Sequence, residues 1–276
     1  MSDRIQRPLR STIARSTANS VHVFDLDLVD LLGKVSFGDF AYLELFRRLP
    51  SERESVLFNA LLVTLVEHGI TPSSLAARLT YLGAPESLQG AVAAGLLGLG
   101  STFVGTIEGA ARICQENLPN AGRHDETSTT VRLGDSEIDA LAESTVARYA
   151  ESKLSVPGFG HPVHKPVDPR AVRLLSLGRE LGFDDSSSRL VESIGSQLSE
   201  RSGKVIPLNA TGAIGALAST LGVTWNVSRG LGVMARSVGL VGHILEERSD
   251  PMAATIWHRS EHEVSGRTPD FRVDAN

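Results

Sequence analysis

Two histidines three residues apart, His161 and His164, sit in the segment Val156–Arg170, VPGFGHPVHKPVDPR, with a lysine and an arginine close behind. A neutral imidazole on a rigid loop can exchange a proton with a substrate oxygen near neutral pH. Pro157, Gly158 and Gly160 make a compact turn whose amides can approach an adenine or a phosphate, because glycine adds no side chain. Lys165 offers a point charge to a phosphate. Arg170, in the first turn of the next helix, offers a two-pronged fork to a carboxylate. Singly, each fits a solvated surface turn better than a site. Together they specify a loop that handles an anionic substrate and moves a proton.

Other chemistry-bearing patterns fail. There is no G-x-S-x-G nucleophile elbow and no H-E-x-x-H zinc helix. Gly230-x-Gly232-x-x-Ala235 matches a dinucleotide fingerprint only formally, since it lies inside a helical run with no apolar strand before it. No nicotinamide cofactor is expected. His161 and His164 lack cysteine or carboxylate partners at ligand spacing, so no metal is expected either. Cys114 is the only cysteine, which excludes an internal disulfide and a cysteine-rich zinc site. It fits a reducing, cytoplasmic setting.

The elements that must position this loop are mostly helical. Ser51 and Glu54 form a capping box ahead of a run that is apolar on nearly every face from Val56 to Val66, which predicts a buried central helix. Thr71-Pro72 caps a helix to Leu82, and Pro85 starts another. Gly105–Leu118, Ser136–Ser152, Ser187–Arg201, Thr211–Leu221 and Trp225–Arg248 read as further helices. Asp168 and Pro169 open the helix after the loop. Residues 120–130 read as an exposed loop, Val21–Leu26 as a short strand, and the end from His258 as an extended polar tail. The fold class is all-α.

With 276 residues, 41% of them hydrophobic and 21% charged, the chain can bury a real core. Aromatics are only 5% and glycines number 26, so close helix packing on small side chains is expected. The 27 basic residues against 32 acidic give a net charge of −5, with no basic cluster to hold a nucleic acid. The basic, polar start lacks the apolar core of a secretory signal and reads as an arm. The longest apolar stretch, Ala91–Val104, is too short and glycine-rich to span a bilayer.

The loop resembles the PG-x-GH…DPR segment of the citrate synthase family. The resemblance extends along the chain. LVDLLGKVSFGDFAYLELFRRLPSE is similar to the family's N-terminal helices. VEHGITPSSLAAR is similar to its DHG-x-x-P-S segment, GSTFVGTIEGAAR to GD-x-x-GGAIE, KVIPLNATGAIGA to K…NVDG-x-IG, and SRGLGVMARSVGLVGHILEER to the SRALG helix with its closing ER. The short length and the sequences around His68 and Gly242-His243 resemble the citryl-CoA lyase branch, including the lyase module of ATP-citrate lyase.

This resemblance implies an all-helical fold in two domains. The large domain would be residues 1–111 and 224–276, and the small domain 112–223. It implies a homodimer or higher oligomer, with a homologous chain as another possible partner. It implies a coenzyme A thioester as substrate, held by Val156, Pro157, Gly158, Gly160, Lys165, Lys204 and Asn209. His68, Arg170, Arg229, Arg236 and Arg248 match positions that hold the carboxylates of a citrate-like substrate. His161 matches the histidine that serves the keto or hydroxyl oxygen.

Two positions depart from the family. Phe103 replaces a histidine that stabilises the enol, as in the ATP-citrate lyase module. Thr211 replaces the aspartate that takes the α-carbon proton. A hydroxyl cannot act as a carboxylate base at pH 7, although it can donate to an oxyanion. Phe24-Asp25-Leu26 also replaces the usual Arg-Gly-Tyr. Three readings follow. In the first, the chain cleaves citryl-CoA and the enolate takes its proton from water or another acid, Asp25 and Glu108 being candidates. In the second, it cleaves a different 3-hydroxyacyl-CoA. In the third, it is a non-catalytic relative that binds CoA esters or pairs with an active homologue. Citrate synthesis ranks last.

Overall fold

The computed structural model describes residues 9–119, 121–122, 133–161 and 164–266. Most of the predicted 120–130 loop lies outside them. The chain divides into two compact units, Met1–Ala60 and Leu61–Asn276.

In the first unit, β1 (Ala14–Ser16), β2 (Val21–Val23) and β3 (Leu26–Asp27) form an antiparallel sheet in that order. The single strand predicted over Val21–Leu26 is therefore a hairpin. Val23 pairs with Leu26, and Phe24-Asp25 makes the turn with Phe24 at φ 52°. Hairpin turns of two residues need such left-handed backbone. Asp27 caps α1 (Leu28–Leu31) and Ser36 caps α2 (Phe37–Phe46).

Helix α3 (Glu52–Val66) starts at the predicted box, where Glu54 reaches back to the Ser51 N–H at 2.8 Å. It is not buried all round. Leu57, Phe58 and Leu61 are fully buried, but Val56 and Val63, seven residues apart on one face, are 45% and 72% exposed.

The second unit continues with α4 (Pro72–Gly83), α5 (Leu88–Leu97), α6 (Gly105–Asn117), α7 (Asp135–Glu151), α8 (Pro169–Glu180), α9 (Ser186–Ser202), α10 (Ala210–Thr220), α11 (Trp225–Ser249) and α12 (Ala253–Ser265). Thr71 caps α4 as expected, with Ser74 completing the box. Helix α5 begins three residues beyond Pro85, which sits in a turn closed by Ser87 N–H on the Ala84 carbonyl.

Helix α10, ATGAIGALAST, is the centre of this unit and packs against α6, α8 and α9. Its small residues allow that. A Cβ on Gly215 would stand 2.7 Å from the Ile107 carbonyl of α6, so only glycine fits. Helix α11 packs on α4, α5 and α6.

The expected tail from His258 is helix α12 as far as Ser265. Its start is fixed by Glu247, whose Oε1 accepts the N–H of Met252 and of Ala253. No described helix is long and apolar enough to cross a membrane.

Candidate active site

The loop at Val156 is zipped onto the segment before α10. Phe159 bridges Leu208, Gly160 N–H donates to the Pro207 carbonyl at 2.8 Å, and Asn209 N–H donates to the Gly158 carbonyl at 3.0 Å. Gly158 makes this possible. It has φ 90°, and a Cβ there would meet the Gly212 Cα at 2.7 Å. Asn209 caps α10 through Oδ1, which accepts the Gly212 N–H, and its Nδ2 donates to the Gly160 carbonyl at 2.9 Å. The amide is therefore fixed at both ends, and His161 leaves a clamped backbone.

Asp168 is more than the cap expected of it. It is fully buried. It accepts the Arg170 N–H, and its Oδ2 accepts the Ala210 N–H at the start of α10. It also takes the Arg170 side chain at 3.1 and 2.9 Å. Burial alone would push this carboxyl up, but the Arg170 hydrogen bond and charge and the two N–H donors hold it below its ordinary value. One carboxylate thus joins two helix starts and aims Arg170.

These supports open onto a cavity of about 600 Å³. Of the residues singled out from sequence, His68, Phe103, Gly160, His161, Arg170, Asn209, Thr211 and Arg236 line it. Val156, Pro157 and Gly158 do not. They are packing elements, with Val156 buried and Pro157 where a Cβ on Gly109 would fall. Lys165 and Lys204 are exposed and away from the lining. Arg229 is tied to Glu108 at 2.6 Å, and neither lines the cavity. Arg248 is exposed near the end of α11. Asp25 belongs to the first unit, beside Arg15 and Arg47 in a smaller hollow of about 380 Å³.

The charge in the cavity is unbalanced. Arg236 is 7% exposed, and its Nε and Nη1 have no hydrogen-bond partner. Its nearest carboxylate, Glu67, is 3.7 Å from Nη1. Burial holds the guanidinium below its ordinary pKa, and Glu67 acts the other way. An unsatisfied buried cation is costly and calls for an anion. Sequence reasoning missed Glu67, although it adjoins His68. Its Oε2 accepts the His68 N–H at 3.2 Å and faces His243 Nε2 at the same distance.

His161 has its Nδ1 2.9 Å from the His164 N–H. A nitrogen that accepts holds the lone pair, so this contact places the neutral ring's proton on Nε2; Arg170 Nη2, 3.4 Å from Nε2, can only donate, so that longer approach is not a hydrogen bond in this tautomer. Burial first, then electrostatic coupling to His164, Arg170 and His68, holds the His161 pKa below its ordinary value, with Asp168 acting the other way. His68 is lowered by burial, then by Arg170 and Arg236. Both rings are thus neutral at pH 7.

Thr211 takes part in a hydroxyl chain. It donates to Asn209 Oδ1 at 2.6 Å and accepts from Thr106 at 2.7 Å. Thr106 is also 2.6 Å from the Phe103 carbonyl, so its one proton serves two acceptors. Thr106 gave no signal in sequence beyond its place in the first turn of α6.

Residues 11–258 match the family described as citrate synthase, C-terminal domain. The chain belongs to the citrate synthase family. Among solved structures of this fold, a citryl-CoA lyase from Hydrogenobacter thermophilus is 31% identical, with a TM-score of 0.75 over 98% of this chain and 96% of its own. An ATP citrate lyase from Methanothrix soehngenii, solved with citrate and coenzyme A, is 21% identical, with a TM-score of 0.72 over 98% of this chain and 43% of its own. At that identity the likeness is one of fold. Citrate synthase 2 of Bacillus subtilis strain 168 is 26% identical over 199 residues, 72% of this chain. The chain spans about half the length of that curated relative, 48%.

Proposed function

We propose that this protein is a carbon–carbon lyase that splits citryl-CoA, or a related 3-hydroxyacyl-CoA, into an acyl-CoA and a keto compound. The observation that carries this is Arg236, a buried cation with unpartnered nitrogens in the same cavity as Arg170, His68 and His161. That is a receptor for a carboxylate-bearing substrate beside a neutral imidazole. The likeness to a citryl-CoA lyase along nearly all of both chains supports it.

In cleavage, His161 takes the proton of the tertiary hydroxyl. The C–C bond breaks as the carbonyl of the keto compound forms, and its electron pair passes to the thioester as an enolate. Water then gives a proton to the α-carbon, and the hydroxide left behind is neutralised by the proton that His161 took from the tertiary hydroxyl. For Nε2 to act as base, the ring proton must move to Nδ1 and the His164 N–H contact must open. Thr211 serves the enolate oxygen by rotating its hydroxyl away from Asn209 while keeping the bond from Thr106.

The remaining parts of the proposal are coenzyme A along the Val156–Lys165 loop with Lys204 and Asn209, and a domain of residues 112–223 closing on the remainder. They include a cytoplasmic homodimer, supported by the uncovered apolar face at Val56 and Val63. Arg229 and Arg248 are carried only as family matches.

One observation favours the reverse direction. The resting His161 offers Nε2–H, a donor suited to a keto oxygen and hence to C–C bond formation.

Purified protein incubated with citryl-CoA and a panel of 3-hydroxyacyl-CoAs should release acyl-CoA and keto compound. His161→Ala should slow this by at least about 10²-fold; a smaller loss removes His161 from the mechanism. Coenzyme A binding without turnover on any of them would instead identify a non-catalytic binding relative.

A further inference from the structure

His161 and His164 have no metal-ligand partner in the sequence around them, but the fold supplies a third imidazole. His68, from the turn after α3, brings its ring centroid to 5.6 Å from His161 and 6.4 Å from His164, which are themselves 4.4 Å apart. One nitrogen from each ring lies within 4.8 Å of the other two. We propose that His68, His161 and His164 form a site for one divalent transition-metal ion, of the zinc and cobalt class, which takes the lone pair of His161 when it binds. The binding stands apart from the lyase reading. Only the inhibition it would cause depends on that reading.

Three imidazoles around zinc hold their nitrogens at about 2.0–2.1 Å from the ion and so roughly 3.4 Å from one another. The nitrogens must therefore close by up to about 1.4 Å, a movement within reach of side-chain rotation. Gly160, directly before His161, has φ 80° and open space where a Cβ would be. In the resting tautomer the free pair of His161 is on Nδ1, so binding there exchanges the His164 N–H for the metal. A neutral imidazole has one such pair, and a ring that gives it to a metal cannot act as a base. A fourth position is left for water or a substrate oxygen.

Arg170 and Arg236 oppose a cation here, and their carboxylate partners Asp168 and Glu67 offset them. That balance makes a discriminating prediction. Hard oxygen-seeking ions gain little from three nitrogens, whereas zinc, cobalt and nickel bind imidazole well.

The test is calorimetric titration of Zn²⁺ into the chelator-treated full chain, alongside the visible absorption of Co²⁺. It is done in a His262→Ala background, because His258 and His262 stand one turn apart on the exposed face of α12 and could hold an ion of their own. One equivalent should bind, with Mg²⁺ unable to compete. Adding His68→Ala or His164→Ala should each weaken binding at least about tenfold, the low end of what even outer-shell partners cost. Circular dichroism confirms that each variant is folded. No binding to the background protein, or binding unchanged by both added substitutions, overturns the proposal. If the lyase assay shows turnover, Zn²⁺ should inhibit it in step with occupancy. If no turnover is found, the titration still decides the site.

Discussion

Among the described residues, two arginines are buried in the second unit, and they are buried differently. Arg78 on α4 is fully buried and partnered in every direction. Nη1 meets Glu247 at 2.8 Å, Nη2 meets Glu246, and Nε and Nη2 face His243 Nδ1 at 3.3 and 2.9 Å. Arg236 on α11 has Glu67 at 3.7 Å and two nitrogens with no hydrogen bond. The two are connected. His243 accepts from Arg78 on Nδ1, so its Nε2 proton points to Glu67, the carboxylate nearest Arg236. A saturated cation has no capacity left for a ligand, whereas an unsaturated one beside a cavity still has two N–H donors to offer. Arg78 sets His243, His243 sets Glu67, and Glu67 keeps Arg236 tolerable but unsatisfied.

The largest expected effect tests the saturated side. Arg78→Ala strands Glu247, which is 5% exposed, and removes the partner of His243. Breaking a buried pair from one side costs about 3–5 kcal/mol. Urea unfolding should show that loss, and a change under about 1 kcal/mol would mean the network is not structural.

Arg236→Met should do the reverse. Stability should hold or rise, because an unsatisfied buried charge is removed. Binding of a carboxylate-bearing substrate should weaken by about 2 kcal/mol or more, roughly 30-fold. Substrate affinity unchanged, or a stability loss like that of Arg78→Ala, would abolish the distinction between the two arginines.

This contrast also marks what could be read from the sequence. The helices were legible because their caps are local: Ser51 with Glu54, Thr71 with Pro72, and Asp168 with Pro169 each act within a few residues. The loop was legible because VPGFGHPVHKPVDPR carries its chemistry contiguously. The saturation of Arg78 was not, since its partners lie some 165 residues away along the chain. For the same reason His68 could not be recognised as a third imidazole beside His161 and His164, nor Thr106 as the neighbour of Thr211. Helix α12 was missed because what starts it is Glu247, on the preceding helix, and not a residue of the polar segment itself.

Thr211→Asp bears on whether the departure from the family is decay or adaptation. The Asn209 Oδ1 that accepts from Thr211 cannot turn away cheaply, since its amide is held by the Gly160 carbonyl and the Gly212 N–H. A carboxylate would therefore face an acceptor, and an amide flip would break both of those bonds. The variant should lose about 0.5–1.5 kcal/mol of stability, one net hydrogen bond, and should turn over its substrate more slowly. Faster cleavage of citryl-CoA than by the natural protein would show that the site has decayed from an aspartate-based one.

The smallest effect concerns protons. His68 and His161 have pKa values held below the ordinary histidine value near 6.5, so the folded protein binds these protons less readily than the unfolded chain does. The linkage has a definite sign. Their stabilising contribution is complete above the unfolded value and is lost as pH falls through the folded one. Arg170 is among the lowering causes for both rings, behind burial in each case. Arg170→Gln should therefore raise both pKa values toward 6.5 and shift the acid loss of stability in step. Nitrogen-15 NMR of the histidines, followed from pH 5 to 8, measures this directly and reads the His161 tautomer as well. A resting ring protonated on Nδ1 would remove the contact to the His164 N–H from the account. Cleavage would then no longer need a tautomer change.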